Sequence, residues 1–599
     1  MAQLQKTIQH HLALHILLAD RLLKSAKDLK SSKFDFTDVI KLATQLSQLL
    51  RSVARLVAST TTTFYDRPLR SILTQVSSSL ERAQALVRKC KNRSNIILCQ
   101  VFAITTTSDV RKVSNLLESS IADIQWLLSI YVMDDSTSAN LSLPPIVSND
   151  PVLARVWSNI AMLQHSTQLK DRVDAANSLG SLACDNDRNK KMIIEEDGLR
   201  PLLKLLKEGA SPEAQIAATS TLYSLATDKE KVSVFVRSLA TPVIVQALNN
   251  STNVFVRTNV INLVSRMAEM DSCVQEEFGR ENVMRPIVTF LASDIVFDDY
   301  ATTMHPVIQI NRDNMKNGDS NINSFHSSSS LSFHVKKETA PSSPEEKLKL
   351  KISCGRALWI LAKGSLLNSR KIMETKALIC LAKLIENETE ELQVNCLMTV
   401  MELAKVAEMN ADLRRQAFKP NSAAAQTVLD QLLRVVNHET NPKLVVPAIT
   451  IIGSLARSFP AKETRILGPL VSKLEHDVSE VANEAVVSLV KFVNPDNFNC
   501  LEHSKAILEY NGVTHLMSFL KNNDAMKIQV NGLKLLCYLA LLIGNSKALE
   551  EARALSVIEG AARSMVTQYP NMKDLLVKAI DHLNLYQAEN RAHKPAYGP

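Results

Sequence analysis

Apolar residues recur along this 599-residue chain with the spacing of amphipathic helices. The first 133 residues contain four such stretches, and in the second of them Val39, Leu46 and Leu50 fall on one stripe. The third stretch begins at "YDRPL", where Asp66 can cap a helix and Pro68 suits its first turn. Four long helices joined by short connections predict an up-and-down bundle.

Beyond residue 150 the pattern becomes a repeat whose copies end in L-x-x-L-A or a close variant. The second apolar residue of this motif occurs eight times, at Leu182, Leu225, Met267, Leu361, Leu403, Leu455, Phe492 and Leu539. The intervals are 43, 42, 94, 42, 52, 37 and 47 residues, a period typical of armadillo or HEAT repeats. A glycine precedes the second helix in "DGLRPLLKLL" and "NGVTHLMSFL". Because a sharp chain reversal there favours a residue without Cβ, we expect armadillo repeats.

The one long interval contains a Ser- and Asn-rich segment, "NGDSNINSFHSSSSLSFHVKKETAPSSP", with almost no helical pattern. Removing about 50 residues restores the period. The predicted organisation is a helical bundle at 1–133, a linker at 134–150, a first repeat block at 151–294, a disordered insert at 295–347, a second repeat block at 348–565 and a C-terminal cap and tail at 566–599.

Each repeat has an apolar face that it cannot cover by itself, and stacking of neighbours buries that face. The predicted fold is therefore all-α: an N-terminal four-helix bundle followed by a right-handed armadillo-repeat superhelical solenoid with an inner groove. The composition agrees, since only 5% of residues are aromatic and only 14 are glycine. No uninterrupted run of 18 apolar residues occurs, so no membrane span is expected.

The sequence offers little that is typical of catalysis. Nine cysteines are widely spaced without a C-x-x-C pair, which favours buried thiols in a reducing cytoplasm over disulfides or a metal site. The N-terminus lacks the layout of a signal peptide. No phosphate-binding loop, nucleophile elbow or kinase signature is present, so we expect a non-enzymatic protein without a cofactor or a small-molecule substrate.

Positive charge is concentrated at the N-terminus, where residues 1–133 hold 18 Lys and Arg against 9 Asp and Glu, in a chain of net charge +8. The cluster Arg88, Lys89, Lys91 and Arg93 is a candidate site for an anionic membrane surface. The alternative is that these cations only complement the C-terminal end of a helix. Nucleic-acid binding would require a longer basic stripe with stacking aromatic residues, so it is not expected.

The groove of importin-α-type armadillo proteins carries ladders of Asn and Trp on the last helix of each repeat. The corresponding positions here hold neither ladder, which argues against nuclear import. They still give the best candidates for a partner groove: Asn177, Ser181, Ser220, Ser224, Asn262, Arg266, Arg356, Lys491 and Lys534. The cations among them could pair with an acidic partner segment, or they could be ordinary solvated surface.

Ser343 precedes Pro344 at the end of the insert and is a candidate phosphorylation site. The alternative is a flexible insert without a regulatory role.

Several stretches resemble the plant "armadillo repeat only" proteins. They are "FYDRPLRSIL", "LERAQALVRKCKNRS", "DVRKVSNLLESSIADIQWLLSI" and "AANSLGSLACDNDRNKKMIIEEDGLRPLLKLLKEG". This resemblance implies a non-enzymatic scaffold in the cytoplasm, linked to Rho-type GTPase signalling and polarised cell growth, with regulators of Rho-type GTPases as candidate partners. The basic N-terminal region adds a candidate location that is peripheral at the plasma membrane. Two alternatives remain: a substrate adaptor in ubiquitin ligation, and a membrane-active helical bundle regulated by the solenoid.

Overall fold

The computed structural model describes residues 2–28, 36–59, 64–93, 103–131, 143–293, 295, 343–375, 377–388, 390–522, 525–565 and 568–592. All regular structure in these ranges is helical. Residues 1–271 and 272–599 form two units, which are taken in turn.

The first unit begins with the predicted four-helix bundle. Its helices are α1 (Ala2–Lys27), α2 (Thr37–Ser59), α3 (Arg67–Arg93) and α4 (Ala103–Tyr131). Helix α1 packs on α2 and α3, and α4 packs on the same two helices. Leu46, Leu50 and Val53 of the predicted stripe are fully buried in the bundle core.

The repeats of the first unit follow, each built from three helices after an initial pair. The pair is α5 (Pro151–His165) and α6 (Leu169–Asp185), and the two repeats are α7 (Asp187–Glu195), α8 (Leu199–Glu208) and α9 (Pro212–Leu225), then α10 (Lys229–Arg237), α11 (Ala240–Asn250) and α12 (Val254–Met270). The third helices α6, α9 and α12 pack side by side, and the second helices α5, α8 and α11 form a parallel layer.

The second unit continues the pattern. Its helices are α13 (Ser272–Arg280), α14 (Met284–Leu291), α15 (Pro344–Ala362), α16 (Leu366–Glu374), α17 (Ala377–Asn387), α18 (Glu390–Met409), α19 (Ala411–Ala417), α20 (Ala423–His438), α21 (Pro442–Ser454), α22 (Leu467–Ser472), α23 (Ser479–Val493), α24 (Cys500–Glu509), α25 (Gly512–Asn522), α26 (Met526–Ile543), α27 (Lys547–Glu551), α28 (Ala554–Met565) and α29 (Lys573–Ala592). The third helices α15, α18, α21, α23, α26 and α29 pack in that order. Before α22, a 3-10 turn at Ala456–Ser458 stands where other repeats have a first helix.

The turn between first and second helices corrects the expected role of glycine. In five repeats a left-handed residue makes the turn, and none of the five is glycine: Asp197, Leu239, Asn282, Asn511 and Arg553. Gly198 itself is right-handed, with φ of −68°. A Cβ on Gly198 would lie 2.8 Å from the Ile193 carbonyl oxygen, so close packing explains this glycine.

The domain boundaries differ in detail from those expected. The insert separates a second helix, α14, from its third helix, α15, and its predicted disorder concerns residues outside the described part of the chain. Helix α15 begins at Pro344, before the expected end of the insert at 347. Residues 145–147 of the expected linker form a 3-10 turn with Val147 buried. Helix α29 occupies most of the expected tail and packs on α26 as a further third helix.

Helix α26 is the one helix among the described residues that is long and apolar enough to cross a membrane, with 18 residues and a mean hydropathy of 1.4. It contains Lys527 and Lys534, which is why no uninterrupted apolar run appears in the sequence. Its packing between α23 and α29 is that of a core helix in the repeat array.

Candidate protein-binding groove

The third helices are held at close range by hydroxyl groups that donate to a carbonyl of the preceding third helix. Thr221 donates to Ala176 at 2.8 Å, and Ser488 donates to Ile449 at 3.0 Å. Thr399 does the same with Gly355 at 3.3 Å. Because these bonds join backbone and side chain across two helices, they fix the spacing of neighbouring third helices within each unit.

A second recurring hydrogen bond is found at the C-terminal ends of third helices. The side-chain amides of Asn189, Asn368 and Asn497 donate to Leu182, Leu361 and Phe492, at 2.9, 2.9 and 3.1 Å. Each acceptor is a carbonyl near the C-terminus of a third helix, where intrahelical partners are missing. These buried asparagines therefore give helix-end carbonyls a hydrogen-bond partner.

In the first unit, the candidate groove residues lie on the third helices with differing exposure. Asn177, Ser181 and Ser220 are exposed, and Ser224 and Asn262 are half-buried. These small polar side chains present a hydrogen-bonding surface on α6, α9 and α12 with little charge.

Arg266 is half-buried and already engaged within the protein. Its Nε donates to the Ala226 carbonyl at 3.1 Å, and its guanidinium lies 5.7 Å from the Tyr223 ring centroid. The side chain therefore bridges α12 to the end of α9, and much of its hydrogen-bonding capacity serves that bridge.

The candidate cations of the second unit are in different states. Lys491 lies 2.8 Å from a Glu408 carboxylate oxygen, so its charge is balanced within the protein. Lys534 lies 5.9 Å from the Tyr538 ring centroid. Arg356 on α15 is exposed. Exposure alone distinguishes Arg356 from the half-buried Lys491 and Lys534, and an exposed guanidinium can meet an acidic partner segment.

The basic cluster at the end of α3 is partly neutralised. Lys89 lies 3.6 Å from Asp109, and Lys91 lies 4.0 Å from Asp28. Arg88 is exposed, and the side chain of Arg93 lies outside the described residues. The cluster retains less free charge than its sequence indicates, because the acids come from α4 and from the end of α1.

Ser343 caps α15. Its hydroxyl accepts from the Glu346 amide at 3.2 Å, and the Glu346 carboxylate accepts from the Ser343 amide at 3.1 Å. This reciprocal arrangement is a capping box, followed by Pro344 in the first turn. The candidate phosphorylation site thus lies at the start of a third helix of the layer.

An aromatic cluster that the sequence did not reveal joins the bundle to the first repeats; we call Phe64, Tyr65, Tyr131, Trp157 and His165 the junction. Phe64 stacks on Tyr131 with centroids 4.6 Å apart, and Tyr131 meets His165 edge-on at 5.2 Å. The Tyr131 hydroxyl donates to the Tyr65 carbonyl. The bundle and the first repeats therefore share buried surface.

Hydrogen bonds complete the junction. The Tyr65 hydroxyl donates to the Glu196 carbonyl at 3.1 Å, and Trp157 donates to the Glu196 carboxylate at 2.8 Å. The Tyr65 amide donates to Nε2 of His165 at 3.3 Å. Burial, with a smaller contribution from Lys204, lowers the pKa of His165 from 6.5 to about 4, so the ring is neutral and can accept this bond.

Two buried cysteines of the second unit, Cys380 and Cys396, are poor nucleophiles. Burial raises the pKa of the Cys380 thiol to about 12 and that of Cys396 well above its usual range. Within the described residues, no group of three or more His, Cys, Asp or Glu is arranged to hold a metal ion.

Comparisons with known proteins agree with this architecture. Residues 186–227 match the armadillo/beta-catenin-like repeat, and they span α7 to α9. Residues 9–132 match a domain of unknown function, DUF7792, which spans the bundle. No curated protein matches the sequence.

Among solved structures, the crystal structure of an engineered protein is similar with a TM-score of 0.55 at 18% identity, covering 78% of this chain and 95% of that chain. Computationally designed armadillo repeat proteins for modular peptide recognition give a TM-score of 0.36 at 16% identity, covering 49% of this chain and 98% of theirs. A designed armadillo repeat protein in complex with the peptide (KR)4 gives 0.36 at 16% identity, covering 50% and 98%. The likeness to these two designed proteins is too low to support an argument.

The chain contains an armadillo repeat and has an armadillo-like, all-α solenoid fold. Proteins of this fold commonly serve as protein-binding scaffolds and are generally not enzymes.

Proposed function

We propose that the protein is a non-enzymatic interaction scaffold of the plant armadillo-repeat-only type. In this proposal it is cytoplasmic and peripheral at the plasma membrane, and it binds regulators of Rho-type GTPases during polarised growth. The observation that carries the scaffold role is that, within each unit, hydrogen bonds hold neighbouring third helices together and these helices expose polar side chains at candidate groove positions. The signalling role is supported by the resemblance of the bundle and first-repeat sequences to that family.

Arg356 provides the sharpest test of the groove because the same repeat contains a matched control. Arg356 is exposed on the third helix α15, and Arg285 is exposed on the second helix α14. A partner held by the third-helix layer should be weakened by R356E through like-charge repulsion, and R285E should have little effect. We expect at least about a tenfold loss of captured partner with R356E, since a charge-assisted contact contributes roughly 1.5–3 kcal/mol.

The measurement is affinity capture of the full chain from plant extract, followed by quantitative mass spectrometry of the two variants and the unmodified protein. Matching far-ultraviolet circular dichroism of both variants is the control for folding. Loss of the same proteins with R285E and R356E would remove the third-helix layer as the binding surface. Recovery of ubiquitin-ligase subunits in place of Rho regulators would favour the adaptor role in ubiquitin ligation.

A second candidate role is membrane attachment through the bundle. It is favoured by the charge of residues 1–133, which contain 18 basic and 9 acidic residues. Flotation of the full chain with anionic vesicles should decrease with R88E and with rising salt, because this attraction is electrostatic. Flotation that is insensitive to both would exclude the basic cluster as the membrane contact.

A further inference from the structure

A polar cleft of 590 Å³ lies beside the junction, where the start of α3 faces α8. Four cations line it: Arg67 and Arg70 from α3, and Arg200 and Lys204 from α8. The two arginines of α3 are three residues apart and the two cations of α8 are four apart. Each pair therefore lies on one face of its helix, and the two faces border the same cleft.

Positive charge exceeds negative charge in the cleft. Asp66 pairs with Arg70 at 2.5 Å, and Asp197 pairs with Arg200 at 3.4 Å. Arg67 is exposed and has no salt bridge within the described part of the chain. Because a guanidinium has five N–H donors, the two paired arginines still have donors to offer to a second anion.

Lys204 completes the set of cations. It lies 3.8 Å from Glu208, whose carboxylate makes a closer contact with Arg172 at 2.5 Å. Glu208 is thus shared between two cations, so it neutralises Lys204 only in part.

The cleft is already formed before any ligand binds. The Tyr65 hydroxyl bond to Glu196 and the Tyr65 amide bond to His165 hold the start of α3 against α5 and α7. Arg67 and Arg70 lie two and five positions after Tyr65, so the backbone of this first turn of α3 is held relative to α8. A preformed arrangement of cations loses little conformational freedom when it binds a rigid anion.

We propose that this cleft binds a polyphosphorylated ligand of the inositol polyphosphate class, free in solution or as a lipid headgroup. Arginine recognises phosphate through parallel N–H donors, and four cations on two opposing helices suit several phosphates on one compact ring. The volume is larger than a single phosphate requires.

The cleft is separate from the basic cluster at the other end of α3. Arg67 and Arg88 are 21 positions apart, which corresponds to about 32 Å along the helix at about 1.5 Å per residue. Variants at the two ends of α3 therefore distinguish this site from membrane attraction by the cluster. The proposal does not depend on the third-helix layer or on its partner.

The test is isothermal titration calorimetry of the full chain with inositol hexakisphosphate and, separately, with tripolyphosphate. We expect saturable binding with one site, weakened at least about tenfold by R67A/R200A and by K204A. The matched control R88A/K89A removes two cations from the distant cluster and should change the affinity less than about twofold. Unchanged thermal midpoints would establish that the variants remain folded.

A second arm separates the two sources of the ligand. Vesicles that contain phosphatidylinositol bisphosphate are compared with vesicles of equal charge made from phosphatidylserine. A preference for the phosphoinositide vesicles that R67A/R200A abolishes would identify a lipid headgroup as the ligand. Binding of the soluble probes without such a preference would identify a free ligand. Absence of binding to all probes, or equal losses with R67A/R200A and R88A/K89A, would overturn the proposal.

Discussion

Gly453 shows how strongly a single residue can constrain the spacing of the third helices. A Cβ at this position would lie 2.4 Å from the Ser488 hydroxyl oxygen and 2.9 Å from the Ser488 Cα, so α23 would have to move away from α21. We predict that G453A lowers the free energy of unfolding by about 1–3 kcal/mol through overpacking. Denaturant unfolding followed by circular dichroism measures this change.

Gly560 provides the matched control for that substitution. It lies within α28, and a Cβ there would have no atom within 4 Å. G560A should raise the free energy of unfolding by about 0.5–1 kcal/mol, because alanine loses less backbone entropy in a helix. If G453A were as harmless as G560A, the close approach of α21 and α23 would be wrong.

His165 gives the junction a defined pH dependence. The pKa of His165 is about 4 in the folded protein and its usual value is 6.5. Between these two pH values the ring is protonated in the unfolded chain and neutral in the folded chain. Stability from this residue is fully present above pH 6.5 and is lost as the pH falls toward 4. We predict that the thermal midpoint decreases by about 2–4 °C more between pH 7.5 and 5 in the unmodified protein than in H165Q. Parallel curves for the two proteins would contradict the burial of this ring.

At the scale of the element, Ser343 is both the N-cap of α15 and the candidate phosphorylation site. We predict that S343A removes the cap and increases hydrogen exchange of the Glu346 amide at least about fivefold, since such a cap contributes roughly 1 kcal/mol. S343D keeps an acceptor and adds negative charge at the positive end of the helix, so it should retain or strengthen protection. Phosphate on Ser343 should act in the same direction. Equal exchange in S343A and the unmodified protein would mean that the capping box does not hold this turn.

The elements also show what the sequence could predict and what it could not. The bundle helices were predictable because their apolar spacing is regular, and most third helices were predictable because they also end in the repeated motif. The shortest first helices were harder to predict from the sequence. Helix α27 (Lys547–Glu551), for example, has too few residues to show an apolar period. The pairing of Lys491 with Glu408 joins residues 83 positions apart. Such a contact depends on how α18 and α23 come together, which no local pattern records.

At the scale of the whole molecule, the junction makes the bundle part of the folding unit of the first repeats. Trp157 is 2% exposed and Phe64 is 7% exposed, and their surroundings come from both segments. Removing residues 1–142 would expose the apolar surface of α5, so we predict that the first repeats unfold at least about 5 °C lower without the bundle. A bundle that only tethered the repeats to a membrane would leave their midpoint unchanged.

The three tryptophans allow this to be measured in the first repeats alone. They lie at positions 126, 157 and 359, so W126F/W359F leaves Trp157 as the single reporter in the full chain. In the shortened chain W359F is sufficient. The midpoint from Trp157 emission should decrease on removal of the bundle. The emission before unfolding should shift to longer wavelength, because the indole loses the cover of the ring at position 126, which lies 6.2 Å away in the unmodified protein. Identical midpoints and spectra would show that the bundle contributes nothing to the stability of the repeats, and the preformed cleft beside the junction would lose its physical basis.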